Sequence, residues 1–150
     1  MQADEQPSWE QFFSVPTPRD LEYVLDSWLA AYRTSPWAGA IPNNLYHSTY
    51  REAINQLLQR GARVLVVRNA ANPELLLGWI CFELTERKEL VVHFAYVKPA
   101  YRRNGIYKAL VGSLLKHSQQ TRYFFTYRTP QSKYLTGCTF RPEISRRRKA

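Results

Sequence analysis

Residues Leu90 to Val97 read Leu-Val-Val-His-Phe-Ala-Tyr-Val, apolar on both faces of a strand apart from His93. A strand that hides both faces belongs in the middle of a sheet with helices on either side. Pro99 cannot donate to a ladder, so the strand ends at Val97. Apolar positions then recur at helical spacing, with Ile106, Ala109, Leu110, Ser113, Leu114 and His117 on one face. One strand–turn–helix unit, Leu90 to His117, therefore fixes the centre of the fold.

The flanking chain completes an α/β pattern. A short strand at Phe12–Val15 precedes Thr17-Pro18, a hydroxyl cap followed by proline at a helix start. Leu21, Val24, Leu25, Trp28, Leu29 and Tyr32 form that helix's apolar face, and Ser35-Pro36 ends it. A second helix runs from about Asn44 to Gln59, with Tyr46, Tyr50, Ala53, Ile54, Leu57 and Leu58 inward and Gly61 as its left-handed cap. Strands follow at Val64–Val67 and Leu75–Leu84, and after the central unit at Arg122–Tyr127. A short helix over Pro130–Leu135 and a last strand over Thr139–Ile144 close the pattern. This order predicts an α/β sandwich with a mixed sheet. The domain spans 11–145, between a flexible leader at 1–10 and a basic tail at 146–150.

Charge and cysteine narrow the function. The net charge of +9 favours an anionic partner: nucleic acid, an acidic protein or a phosphorylated ligand. Part of it lies in Arg146-Arg147-Arg148-Lys149, which also fits a solvated end. Cys81 and Cys138 are far apart, and neither they nor the three histidines have metal-ligand spacing, so no metal site is expected. No apolar run approaches the roughly 20 residues of a membrane helix, and Met1–Glu10 lacks a signal core. The expected setting is cytoplasmic, with no membrane partner, as monomer or homodimer.

The chemistry concentrates in the turn Lys98-Pro99-Ala100-Tyr101-Arg102-Arg103-Asn104-Gly105. The first amides of the following helix have no internal acceptor and carry the positive end of its dipole, so they suit an anion. Gly105 permits close approach, and the two arginines add donors.

The longer string, Val97 through Leu110, resembles motif A of the GNAT family of N-acetyltransferases. In that motif an Arg/Gln-x-x-Gly-x-Gly/Ala turn wraps the pyrophosphate of acetyl-CoA. Arg102 matches the leading Arg/Gln, Gly105 the central Gly and Ile106 the aliphatic position. Val15-Pro16-Thr17-Pro18-Arg19-Asp20-Leu21 is similar to the family's first strand and helix, Leu77-Gly78-Trp79-Ile80 to the strand before motif A, and Gly137–Phe140 to the Gly-Phe after its last helix. The resemblance covers most of 12–140 and implies a GNAT-like mixed sheet flanked by helices. Tyr107 departs from the motif, standing where the family has Gly or Ala; its phenol either crowds the pyrophosphate or points away and packs. The C-terminal end is also short, with about ten residues after Phe140.

The resemblance further implies direct attack of a primary amine on acetyl-CoA, with Tyr96, Val97, Arg102, Arg103, Asn104, Gly105, Ile106 and Tyr107 around the cofactor. The amine needs a base. His93, four residues before Val97 and expected on its face, is the first candidate, and its alternative is a hydrogen-bonded core histidine. Glu83 on the preceding strand is the second, and its alternative is a surface carboxylate. Tyr134 is the candidate acid for the departing thiolate, with Tyr127 as fallback. The loop Pro36–Pro42 either closes over the acceptor or plugs the core with Trp37. The acceptor, a small molecule or a protein, is open. Two other functions compete: an inactive binding or structural protein on the same fold, of a kind also found in phage genomes, and a nucleic-acid-binding module using the basic tail.

Overall fold

The computed structural model describes residues 9–33, 43–127, 137–141 and 144. Six strands form one sheet in sequence order: β1 (Phe13–Ser14), β2 (Arg63–Arg68), β3 (Leu76–Leu84), β4 (Leu90–Val97), β5 (Tyr123–Phe125) and β6 (Cys138–Phe140). The first four are antiparallel, whereas β4, β5 and β6 run parallel. A parallel pair needs a crossover, here α3 (Ile106–Ser118). Helices α1 (Pro18–Arg33) and α2 (Asn43–Gln59) cover the opposite face. The mixed sheet between helices is the expected fold class. Among the described residues no helix is long and apolar enough to cross a membrane.

Helix α1 starts where the Thr17-Pro18 pair requires. Thr17 Oγ1 accepts from the Asp20 amide at 3.2 Å and Asp20 Oδ2 accepts from the Thr17 amide at 2.8 Å, a reciprocal capping box. Asp20 also pairs with Arg68 of β2, joining the helix start to the sheet. Burial alone would raise the Asp20 pKa, but Arg68 and the Thr17 hydrogen bonds outweigh it and hold the carboxyl below its ordinary value.

Two apolar layers sandwich the sheet. On one side Val24, Trp28, Leu29, Ile54 and Leu57 meet Trp79, Cys81 and Phe94; the Trp28 and Phe94 rings stack at 5.7 Å. On the other side Ile106, Leu110 and Val111 meet Leu77, Ile80, Leu90 and Val92. The first described residues form a 3-10 turn, Trp9–Phe12.

Four expectations need adjustment. Ala53 is exposed, because it lies about 100° around α2 from the buried Ile54. His117 is exposed in the last turn of α3, where its Nδ1 bonds the Ser113 carbonyl at 2.8 Å. The fifth strand is confined to Tyr123–Phe125 and the last to Cys138–Phe140, since β5 and β6 pair over three residues only. The side chains of Tyr32 and Tyr46, the loop 36–42, the short helix at 130–135 with Tyr134, and the tail 146–150 lie outside the described residues.

Candidate active site

Strands β4 and β5 pair over only three rungs, Leu90–Tyr123, Val91–Phe124 and Val92–Phe125. The Thr126 amide then donates to the Val92 carbonyl at 3.1 Å. Above that point β4 continues to Val97 paired, among the described residues, with β3 alone; the end of the β4–β5 pairing is the fork of the two strands. The half-buried Tyr96 and Val97 stand on the arm of this fork that leads to the turn before α3.

That turn is shaped for an anion. Arg103 (φ 66°) and Gly105 (φ 80°) both take the left-handed conformation, which costs an arginine energy and a glycine almost nothing. Gly105 is the N-cap of α3 and gives no side-chain cap bond, so the first-turn amides have no side-chain partner there. Arg102, Arg103, Asn104 and Gly105 are exposed. Arg102 Nε donates to the Val97 carbonyl at 2.7 Å, and its guanidinium lies 5.6 Å from the Tyr96 ring centre. Asn104 Nδ2 donates to the Tyr101 carbonyl at 3.2 Å. Ile106 is buried in the core, so it offers this site only its amide.

Tyr107 resolves its two readings. Its ring packs against the α3-side core, and its hydroxyl lies 3.1 Å from that of Tyr123. The phenol therefore turns inward, away from the exposed turn. Burial, partly offset by the Tyr123 bond, raises its pKa above the ordinary tyrosine value.

The two candidate bases lie together. His93 Nε2 is 2.5 Å from Glu83 Oε1, and Arg60, just past α2, pairs with the same oxygen. Arg60 Nη2 also donates to the Ile144 carbonyl at 2.6 Å and lies 3.4 Å from His93 Nε2. His93 Nδ1 is 3.0 Å from the Thr126 hydroxyl. The Thr126 hydroxyl also donates to the His93 carbonyl at 3.4 Å. His93 is 2% exposed and bonded at both nitrogens. Burial would raise the Glu83 pKa, but His93 and Arg60 win and lower it.

His93 does not share the face of Val97. Cys81 pairs with Phe94 and Phe82 with Val92, so the register skips His93. This β-bulge inverts the alternation: Val92 and Val97 pack toward α3, Phe94 and Tyr96 toward α1 and α2. His93 instead joins Arg60 and Glu83. Tyr127 follows β5 on the same side, its ring edge-on to Phe94 at 5.3 Å. Sequence reasoning missed Arg60 and Thr126, which are 23 and 43 residues from Glu83 and carry no local signature.

Residues 21–132 match the family model described as the acetyltransferase (GNAT) family. Solved structures share the fold at low identity. A proposed acetyl transferase from Pyrococcus furiosus is 18% identical with TM-score 0.62, the match covering 92% of this chain and 93% of that one. A ribosomal-protein-alanine N-acetyltransferase from Brucella melitensis is 23% identical with TM-score 0.51, covering 81% and 84%. The PaiA N-acetyltransferase from Thermoplasma acidophilum, solved with coenzyme A, is 18% identical with TM-score 0.51, covering 71% and 70%. No curated protein sequence matches the chain.

Proposed function

The chain belongs to the GNAT acetyltransferase family, and on that premise we propose that it moves an acetyl group from acetyl-CoA to a primary amine. The observation that carries this reading is the end of the β4–β5 pairing at Val92, with β4 running on to a helix whose N-cap gives its first amides no side-chain bond. The donor set suits a pyrophosphate: backbone amides at the start of α3, with the exposed Arg102 and Arg103 beside them. The upper half of β4 presents an edge that β5 does not cover, suited to the amide-bearing arm of coenzyme A.

Acetyl-CoA supplies an activated thioester. In this reading the backbone near Tyr96 and Val97 orients the thioester carbonyl, donating to its oxygen as charge develops. The amine's proton leaves by way of Glu83 and His93. Glu83 is the solvent-accessible end of that pair, its side chain 16% exposed against 1% for His93. Of the two candidate acids for the thiolate, Tyr127 packs edge-on to Phe94 of β4 and is the one this reading takes; Tyr134 lies outside the described residues. The acceptor is a primary amine, carried by a small molecule or a protein.

The test has two stages. Acetyl-CoA, but not adenosine, should raise the melting temperature, since a ligand bound only by the native state stabilises it. Thiol release with a panel of amines then reports turnover. No shift at high cofactor concentration would remove the reading; a shift without thiol release for any amine would leave a binding protein on this fold.

A further inference from the structure

We propose that Glu83 meets the acceptor's nitrogen through its Oε2 alone, and that Arg60 is the positioning residue that reserves that oxygen; this deepens the acetyl-transfer reading above and rests on it. A carboxylate has two acceptor oxygens, and the neighbours of Glu83 use only one. Arg60 Nη2 and His93 Nε2 both donate to Oε1. Among the described residues no hydrogen bond reaches Oε2, and it is not one of the buried atoms left without a partner, so it is open to solvent. His93 directly follows Val92, the last residue of β4 paired with β5, so this carboxylate stands beside the end of that pairing.

Both donors are held in place. Arg60 Nη2 also donates to the Ile144 carbonyl at 2.6 Å, which fixes the guanidinium from a second direction. The buried His93 ring is tied at Nδ1 to the Thr126 hydroxyl at 3.0 Å, so its Nε2 stays on Oε1. Charge sets the rest. Among the described residues the titratable groups that act on Glu83 are His93 on β4, Arg60 past α2 and Cys81 on its own strand. Burial first and Glu83 second push the Cys81 thiol up, so it stays neutral. Burial would raise the Glu83 pKa, but His93 and Arg60 hold it below its ordinary 4.5, so the carboxylate is charged when a cationic amine arrives. The nitrogen comes as an ammonium and directs one N–H at Oε2. That proton crosses to Oε2 and on to solvent, and the lone pair it leaves on nitrogen is free for the acetyl carbon. Arg60 opposes keeping the proton, because a neutral acid would leave its own largely buried charge without a partner.

The experiment measures thiol release from acetyl-CoA with the fastest primary amine of the panel above, and the melting temperature of each variant alongside. Arg60→Gln should raise the KM of the amine about tenfold and leave the KM of acetyl-CoA within about twofold. Arg60→Lys keeps the charge beside Glu83 and should bring the amine KM back to within about threefold of wild type. A lowered melting temperature with both KM values unchanged in folded Arg60→Gln would overturn the proposal, because Arg60 would then serve stability alone. An equal rise in both KM values would overturn it too, since the effect would not belong to the acceptor. One readout needs no variant: the carbon-13 resonance of the Glu83 carboxyl. In wild type it should show a carboxylate still ionised below pH 4.5, and with coenzyme A present it should shift on saturation with the amine. Titration at or above 4.5, or a resonance that the amine does not move, would overturn the proposal. Wild type that releases no thiol with any amine would instead sink the acetyl-transfer reading, while the carboxyl titration would still report the pairing with Arg60.

Discussion

The turn before α3 and the fork beneath it lie on one strand, yet they are built in opposite ways. The turn is exposed and cationic, and its backbone is twisted into left-handed conformations at Arg103 and Gly105. The fork is buried, and its charges and hydrogen bonds are spent on one another through Arg60, Glu83, His93 and Thr126. A ligand can meet the turn without rearranging it, whereas anything that disturbs the fork disturbs the fold. The difference teaches where affinity and shape come from: charge from eight consecutive residues, geometry from four distant ones.

The sharpest way to break the contrast is Gly78→Ala. A Cβ there would lie 2.6 Å from the Tyr96 carbonyl oxygen and 3.1 Å from Val97 Cα, so β4 must shift away from β3. We expect a loss of about 3 kcal/mol in stability together with weakened coenzyme A binding, read by denaturant unfolding and calorimetry. An unchanged midpoint would mean the two strands are not held as tightly as described.

Next in size is Glu83→Gln, which leaves Arg60 and His93 facing a neutral amide. We expect a loss of about 2 kcal/mol near neutral pH. The sign of its pH dependence follows from the lowered Glu83 pKa. The folded state favours the carboxylate, so the stabilisation is present above the ordinary carboxylate range and disappears as pH falls through the folded value. The gap in melting temperature between wild type and Glu83→Gln should narrow on acidification below about pH 4.5. Asp20, also lowered, is common to both proteins and cancels. A gap that widened in acid would contradict the ion pair.

Arg102→Ala should do the reverse. It is exposed, so stability should hold while coenzyme A affinity falls about fivefold, with a shallower dependence on salt. Equal affinity at low and high salt in both proteins would remove Arg102 from the site.

The smallest expected effect is at Tyr107. Tyr107→Phe forfeits the bond to Tyr123 and should cost about 1 kcal/mol of stability with coenzyme A affinity unchanged. Tyr107→Gly should not tighten binding either, because the phenol does not face the turn. Tighter binding in the glycine variant would revive the obstruction.

How much of this was legible in the sequence differs between the same two regions. The turn is local: Pro99, Arg102 and Gly105 stand within seven residues, and their order is enough to match a motif. The Thr17-Pro18 cap and the doubly buried β4 were equally readable, because each depends on spacing along one element. The fork was not. His93 and Glu83 were both singled out, but as separate candidates, since no pattern says that residues ten apart on neighbouring strands will meet. The bulge inverted the side of His93 because strict alternation assumes an unbroken register, and one extra residue reverses it. Arg60 looked like the end of a helix and Thr126 like an ordinary strand residue. Tyr107 looked like an obstruction because its place in the motif is local, while the direction of its ring depends on Tyr123, sixteen residues away.

The central claim is that one ligand spans both regions, its phosphates on the turn and its arm along the upper half of β4. Titration of the labelled chain with coenzyme A, followed by amide resonances, tests this directly. The account predicts saturable shifts concentrated at Tyr96–Val97 and at 103–107. Binding that leaves those amides still and moves instead the groove lined by Thr17, Arg19, Tyr23 and Glu74, or no binding at all, would contradict it.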